Sequence, residues 1–290
     1  TRDWSSDVCS SDLADAPGRV MARARSWLAE DLDGIEEALA GRTGPLKSQL
    51  AGPWTLAANI EMRSGERAVR DPGACRDLSD ALAEASARHV AELRRRLPGA
   101  EVILQIDEPS LPSVLAGGVT TASGIATYRA VDEQRAQSHL RTVMDAISAS
   151  SALPGIHCCH ADAPVDLMRR AGARMISVDL TVLDASQEES LGQAIDAGDS
   201  AALGVLPSAD VQLTGIADRV LAERAAARLL DQYRRWGFSV ERANRNVVIT
   251  PWCGLAAASP AWARTAYVAA REAGRLVRDD AEADAGEERE

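Results

Sequence analysis

EVILQIDEP, residues 101 to 109, is a short apolar run that ends in two acids and a proline. Runs of this length, closed by polar or turn residues, are typical of parallel strands buried on both faces. Four later stretches repeat the design: GIHCCH (155 to 160), RMISVDL (174 to 180), AALGVLPS (201 to 208) and NVVITPWCG (246 to 254). A sixth, LKSQLAGPWTLA, precedes them near residue 50 and is broken by Gly52-Pro53.

Helical periods separate these runs. VMARARSWLAEDLDGIEEALAG (20 to 41) sets Val20, Ala24, Trp27, Leu28, Leu32, Ile35 and Leu39 on one stripe and stops at Gly41. A longer helix is expected from about Asp71 to Leu97, ended by Pro98-Gly99. Alternating β and α units imply a parallel sheet, either open and doubly wound or closed into a barrel.

The strand ends choose between these. Asp107 and Glu108, His157 to His160, Asp179, Ser208 and Cys253 all fall at the C-terminal ends of predicted strands. Contributions from many strand ends to one mouth mark a (β/α)₈ barrel. An open sheet gathers its site at one switch point, and no glycine-rich phosphate loop follows any of these strands. The expected fold is therefore α/β, a (β/α)₈ TIM barrel with about six of its eight βα units present.

The opening TRDWSSDVCSSDL is expected to account for the deficit. Back-translation of Asp3 to Leu13 with suitable codons reproduces a common DNA-library sequencing adapter read in frame. Residues 1–13 are thus expected to be an artefact and the true N-terminus to be missing. The remaining expectations are a catalytic barrel fragment over 14–277 and a disordered acidic tail over 278–290, where RDDAEADAGEERE is a charge run.

Composition narrows the function. Hydrophobic residues make up 46% of the 290, enough for a core, but aromatics only 3%, so that core rests on Ala, Leu, Val and Ile. A net charge of −11, from 32 basic and 43 acidic residues, argues against nucleic-acid and anionic-membrane partners. Nothing approaches the roughly 20 apolar residues of a membrane span. Outside the adapter, Cys75, Cys158, Cys159 and Cys253 do not make a disulfide framework, so a reducing cytoplasm is expected.

HCCH has the composition of a metal site, but four consecutive residues cannot wrap one ion. On a strand, His157 and Cys159 point one way and Cys158 and His160 the other. His-x-Cys alone fits a buried structural cysteine beside an ordinary histidine as well as a ligand pair. Cys253, ending another predicted strand, would supply a second thiolate across a barrel mouth. Histidine, two cysteines and a fourth oxygen ligand form a zinc set. His89, His139 and Cys75 lie on predicted helices and read as surface or packing residues.

LQIDEPSLP, HCC with ISVDL about twenty residues later, and TPWCGL resemble, in order and spacing, the C-terminal catalytic barrel of cobalamin-independent methionine synthases. The closer likeness is to short single-barrel homologues, in the superfamily that includes uroporphyrinogen decarboxylase. It covers roughly residues 20 to 277. The resemblance implies zinc held by His157, Cys159 and Cys253, with Asp179 where the family has a glutamate ligand. It also implies a pocket lined by Trp54 and Thr55 of GPWT on the folate side, and Asp107 as the carboxylate that binds the substrate's amino group. Without the resemblance, Trp54 reads equally as core and the Asp107-Glu108 pair equally as helix-capping or loop acids.

Two departures stand out. Ser113 replaces an acidic residue six positions after the aspartate of DEP, and Pro207 stands where the family has its proton-donating histidine. The implied activity is methyl transfer to a zinc-bound thiol such as homocysteine, from a methyltetrahydrofolate or a methyl-corrinoid protein. The alternatives are a regulatory homologue that keeps the pocket without turnover, and a decarboxylase-like enzyme on the same barrel. The latter lacks the strand-end Arg or Lys that a tetrapyrrole would need.

Overall fold

The structure, a computed structural model, describes residues 18–210 and 218–287. The adapter-like residues 1–13 lie outside them. The chain divides at Pro154 and Gly155 into two compact units.

The first unit contains α1 (Arg19–Leu39), β1 (Gly44–Ala51), α2 (Pro53–Asn59), a 3₁₀ turn (Ala68–Arg70), α3 (Pro72–Arg96), β2 (Ala100–Asp107), α4 (Leu111–Ala116) and α5 (Glu133–Ala149). β1 and β2 pair in parallel from Gly44 opposite Ala100 to Ala51 opposite Asp107. On β2, Val102, Leu104 and Ile106 are buried on the side that carries the helices, with Val90 and Leu93 of α3 and Leu140, Val143, Met144 and Ile147 of α5 also in the core. Asp71 starts α3 by accepting hydrogen bonds from the Gly73 and Ala74 amides ahead of a first-turn proline. Arg96 near its end binds Asp33 and Glu36, tying α1 to α3.

The second unit carries β3 (Leu153–Cys158), α6 (Val165–Arg170), β4 (Met175–Asp179), α7 (Ala185–Asp196), β5 (Ser200–Leu206), α8 (Asp218–Arg235), α9 (Val240–Asn246), β6 (Val247–Pro251) and α10 (Pro260–Glu287). β3, β4, β5 and β6 are successive parallel neighbours. β4 is buried along its whole length, as a run without polar alternation requires. A capping box formed by Asp184 and Gln187 opens α7.

The fold is α/β with six parallel strands in sequence order, consistent with an incomplete (β/α)₈ barrel. All six strands coincide with the apolar runs read from the sequence. The acidic tail requires a correction, since α10 continues through Glu287 where a disordered segment from 278 was expected. Val277 and Ala281, one turn apart, are buried, and Arg275 bridges Glu272 and Asp279 along the outer face. A charge run with such an apolar seam holds a helix that charge counting alone misses. Residues 288–290 lie outside the described residues. Among the described residues no helix is long and apolar enough to cross a membrane.

Candidate metal centre

The second unit brings three of the anticipated ligands together. One ligand atom from each of His157, Cys159 and Cys253 lies within 4.8 Å of the others. The Cys159 and Cys253 sulfurs are 3.1 Å apart, and Cys253 Sγ is 3.9 Å from His157 Nε2.

The strand period places the first two. Ile156 and Cys158 on β3 are completely buried, which turns His157 to the opposite face. Cys159 follows directly after the last residue of β3. Ser177 sits opposite His157 on β4, and its Oγ is 2.9 Å from His157 Nδ1. That contact occupies one ring nitrogen and leaves Nε2 toward the thiols.

Cys253 is placed by a glycine. The β5–β6 pairing shifts register between Gly204 and Leu206, and the Trp252 amide donates to the Leu206 carbonyl at 2.8 Å. A Cβ on Gly204 would fall 2.7 Å from Trp252 Cα. Only glycine lets the residues before Cys253 lie this close to β5. Nothing in the sequence around residue 204 marks this role, because the contact forms only once β6 lies beside β5.

The two cysteines share a hydrogen bond. Cys159 donates to Cys253, which together with burial raises the Cys159 thiol above the ordinary range. The same bond, and then the contact with His157, lowers Cys253. Two cysteine sulfurs and an imidazole nitrogen are a donor set that soft and borderline divalent ions favour.

These residues fit zinc. Bonds of about 2.3 Å to sulfur and about 2.0–2.1 Å to nitrogen put two tetrahedral sulfur ligands about 3.8 Å apart and a sulfur and a nitrogen about 3.5 Å apart. Around an ion the 3.1 Å sulfur pair would therefore open, and the 3.9 Å sulfur–nitrogen pair close, by less than about 1 Å. Asp179 is not part of the group. It ends β4 largely buried, with Oδ1 accepting from the Thr181 amide at 2.8 Å. His160 faces away, its Nδ1 accepting from the Asp162 amide.

In the first unit, the residues expected to line a pocket are engaged with one another. Trp54 is 1% exposed, donates from Nε1 to the Ala136 carbonyl and packs on the His139 ring with centroids 5.1 Å apart. It is therefore a core residue, and the expectation that it lines a substrate pocket is corrected. Glu108 accepts from the Trp54 amide at 2.9 Å, the Thr55 amide at 2.7 Å and Thr55 Oγ1 at 2.8 Å. The Asp-Glu pair thus divides its roles, with Glu108 capping α2 while Asp107, half-buried at the end of β2, accepts from Gln105 Nε2 at 2.7 Å. Burial pushes Glu108 up to about 7 against the pull of those hydrogen bonds. Gly52 makes room for it, since a Cβ there would meet the Glu108 carboxyl at 2.4 Å.

The histidines and the cysteine set aside as packing residues are found in such positions. His89 meets Ser48 Oγ, His139 meets Ser79 Oγ, and Cys75 is buried with its thiol on the Ala68 carbonyl. Pro207 presents only its carbonyl, to Trp262 Nε1 at 3.2 Å.

Comparison with known families shows where the chain belongs. The family described as the cobalamin-independent synthase catalytic domain matches residues 37–275, and the chain belongs to that family. No curated protein matches the sequence. Among solved structures, a dihydropteroate synthase from Xanthomonas albilineans is similar at 16% identity and a TM-score of 0.41, over 77% of this chain and 65% of that one. A pyruvate carboxylase from Rhizobium etli aligns at 12% identity and a TM-score of 0.27, over 86% of this chain and 28% of that one. A second dihydropteroate synthase structure from Xanthomonas albilineans is covered over 63% of its length, so the chain spans less than two thirds of these structures.

Proposed function

We propose that the protein is a zinc-dependent methyltransferase of the methionine synthase type, acting on a thiol such as homocysteine. The observation that carries this reading is the convergence of His157, Cys159 and Cys253, whose ligand atoms lie within 4.8 Å of one another. Family membership supplies the methyltransferase class. Zinc in this set would lower the pKa of an incoming thiol and keep it as a nucleophilic thiolate. The Ser177 hydroxyl beside Nδ1 of His157 orients the ring so that Nε2 points toward the two thiols. Asp107 binds the substrate's ammonium group, and water completes the ligand shell until the substrate thiol takes its place. In the transfer, the sulfur gains a bond to the methyl carbon as the donor's bond to that carbon breaks, and the bonding pair stays with the donor. Thiolate ligands of this kind persist in a reducing compartment, which makes the cytoplasm the expected location.

Pro207 bears on the donor. A folate leaving group must be protonated, and a proline in place of a histidine offers no proton. A methyl-corrinoid donor, whose leaving cobalt needs none, is therefore favoured over methyltetrahydrofolate.

One set of single-cysteine variants tests the reading. Cys159→Ser and Cys253→Ser should each lose most of the zinc found by metal analysis of the purified protein, because each removes a thiolate. Cys158→Ser should keep it, since that side chain is buried on the other face of β3. Zinc retained by Cys159→Ser and lost by Cys158→Ser would overturn the assignment. Faster methyl transfer from methyltetrahydrofolate than from methylcobalamin would overturn the choice of donor.

A further inference from the structure

β1 and β2 turn one face toward their helices and a polar face away from them. On the polar face, Lys47, Gln49 and Ala51 alternate along β1, and Ile103, Gln105 and Asp107 along β2. Register sets Lys47 opposite Ile103, Gln49 opposite Gln105 and Ala51 opposite Asp107.

Two hydrogen bonds on this face run in the same direction. Lys47 Nζ donates to Gln49 Oε1 at 3.2 Å, and Gln105 Nε2 donates to Asp107 Oδ1 at 2.7 Å. An ammonium only donates and a carboxylate only accepts. Each end therefore favours one orientation of the amide next to it, through a part-buried contact at Gln105 and an exposed one at Gln49. The groups left over are Gln49 Nε2, a donor, and Gln105 Oε1, an acceptor. They belong to residues directly opposite each other on strands about 4.8 Å apart. Gln105 is 6% exposed, and its Oε1 is buried without a hydrogen-bond partner. A buried acceptor in that position calls for a donor.

We propose that Lys47, Gln49, Gln105 and Asp107 form one directed hydrogen-bond relay across β1 and β2, in which the first three are positioning residues that aim Asp107 at a ligand's ammonium group. Gln49 Nε2 supplies the middle link by turning toward Gln105 Oε1, which has no hydrogen-bond partner in the structure. The relay gathers donors behind Oδ1 and leaves Oδ2 to the ligand. Partial burial lowers the Lys47 pKa, and attraction to Asp107 opposes that shift, as expected for a cation whose counter-charge is at the far end of the relay. The proposal rests on the assignment of Asp107 to the substrate's amino group.

The test reads the relay and the ligand separately in the full chain. Side-chain amide NMR signals of Gln49 and Gln105 report the relay, and calorimetry with homocysteine reports the ligand. In Lys47→Met the Gln105 amide signals should move, although the substitution is on the other strand. Homocysteine affinity should fall about tenfold, the effect of weakening one hydrogen bond to a charged group. Gln49→Met should do the same, Lys47→Arg should restore both readouts, and zinc content should stay unchanged throughout. Gln105 signals that stay put in both Met variants, or a loss of affinity that Lys47→Arg fails to rescue, would overturn the relay. If the unaltered chain binds no homocysteine while the Gln105 signals still follow Lys47, the substrate assignment fails and the relay stands.

Discussion

The strand ends of the two units carry similar chemistry to opposite effect. After β2, Glu108 is completely buried and its carboxylate is taken up by three donors from Trp54 and Thr55. After β3 and β6, Cys159 is half-buried, Cys253 is exposed, and the two thiols have mainly each other and His157 as partners. A polar group at the end of a barrel strand is thus not yet a functional group. What separates the cases is whether the surrounding backbone already satisfies it. A carboxylate with its lone pairs occupied holds a helix in place, whereas sulfurs with little else to bind are available to an ion.

Among residues that are not ligands, the largest effect on the metal should come from removing what lets the second cluster form. Gly204→Ala sets a Cβ 2.7 Å from Trp252 Cα, a backbone atom that cannot swing aside. Crowding of this kind typically costs about 1–3 kcal/mol, and it falls on the segment leading into Cys253. Zinc affinity measured by chelator competition should drop at least about tenfold. Gly254→Ala is the control, since a Cβ there meets nothing within 4 Å. Equal affinities for the two variants would show that Cys253 reaches its position without the close approach of β6 to β5.

That glycine marks the limit of what the sequence conveys. The six strands are legible because each is a short apolar run closed by turn residues, and His157, Cys159 and Cys253 because strand period and strand-end position put them on one mouth. Gly204 is not legible, since its partner Trp252 lies far along the chain and only strand pairing joins them. Glu108 and Gly52 illustrate the same limit, because a helix N-terminus 54 residues before Glu108 cannot be read from the acid itself. Trp54 shows a third form of it. An indole beside a strand end suits a pocket wall or a core, and only the Ala136 carbonyl and the His139 ring decide for the core.

Glu108 provides the intermediate test. Glu108→Ala strips one buried acceptor from two amides and a hydroxyl, and should cost on the order of 3 kcal/mol of stability, with metal content untouched. Its titration sharpens the contrast. Burial lifts the group from an ordinary 4.5 to about 7, so between those values the folded chain keeps a proton that the unfolded chain has released. Unfolding free energy should therefore fall as pH rises from about 4.5 to about 7 and level off above that. Glu108→Gln, which cannot ionise, should flatten this part of the profile in denaturant melts. A wild-type profile that rises with pH through the window would mean that the hydrogen bonds outweigh burial and hold Glu108 ionised.

Ser177 should give the smallest effect. It contributes no ligand, and its Oγ lies 2.9 Å from His157 Nδ1. Ser177 is largely buried on β4, so Ser177→Ala removes one oxygen from a packed position without opening the fold. Outer partners of this kind fix the ring orientation of a metal-bound histidine, and their loss typically costs about 10–100-fold in metal affinity. The lower end is expected here, because strand pairing with Ser177 still holds the His157 backbone in register. Stoichiometry at saturating zinc should stay at one, and dissociation into a chelator should quicken by about tenfold. The response should be graded, because an open cluster tightens or loosens with its outer support while a sealed group such as Glu108 answers only in stability. Unchanged zinc dissociation from Ser177→Ala would place the control of His157 in the backbone of β3 alone.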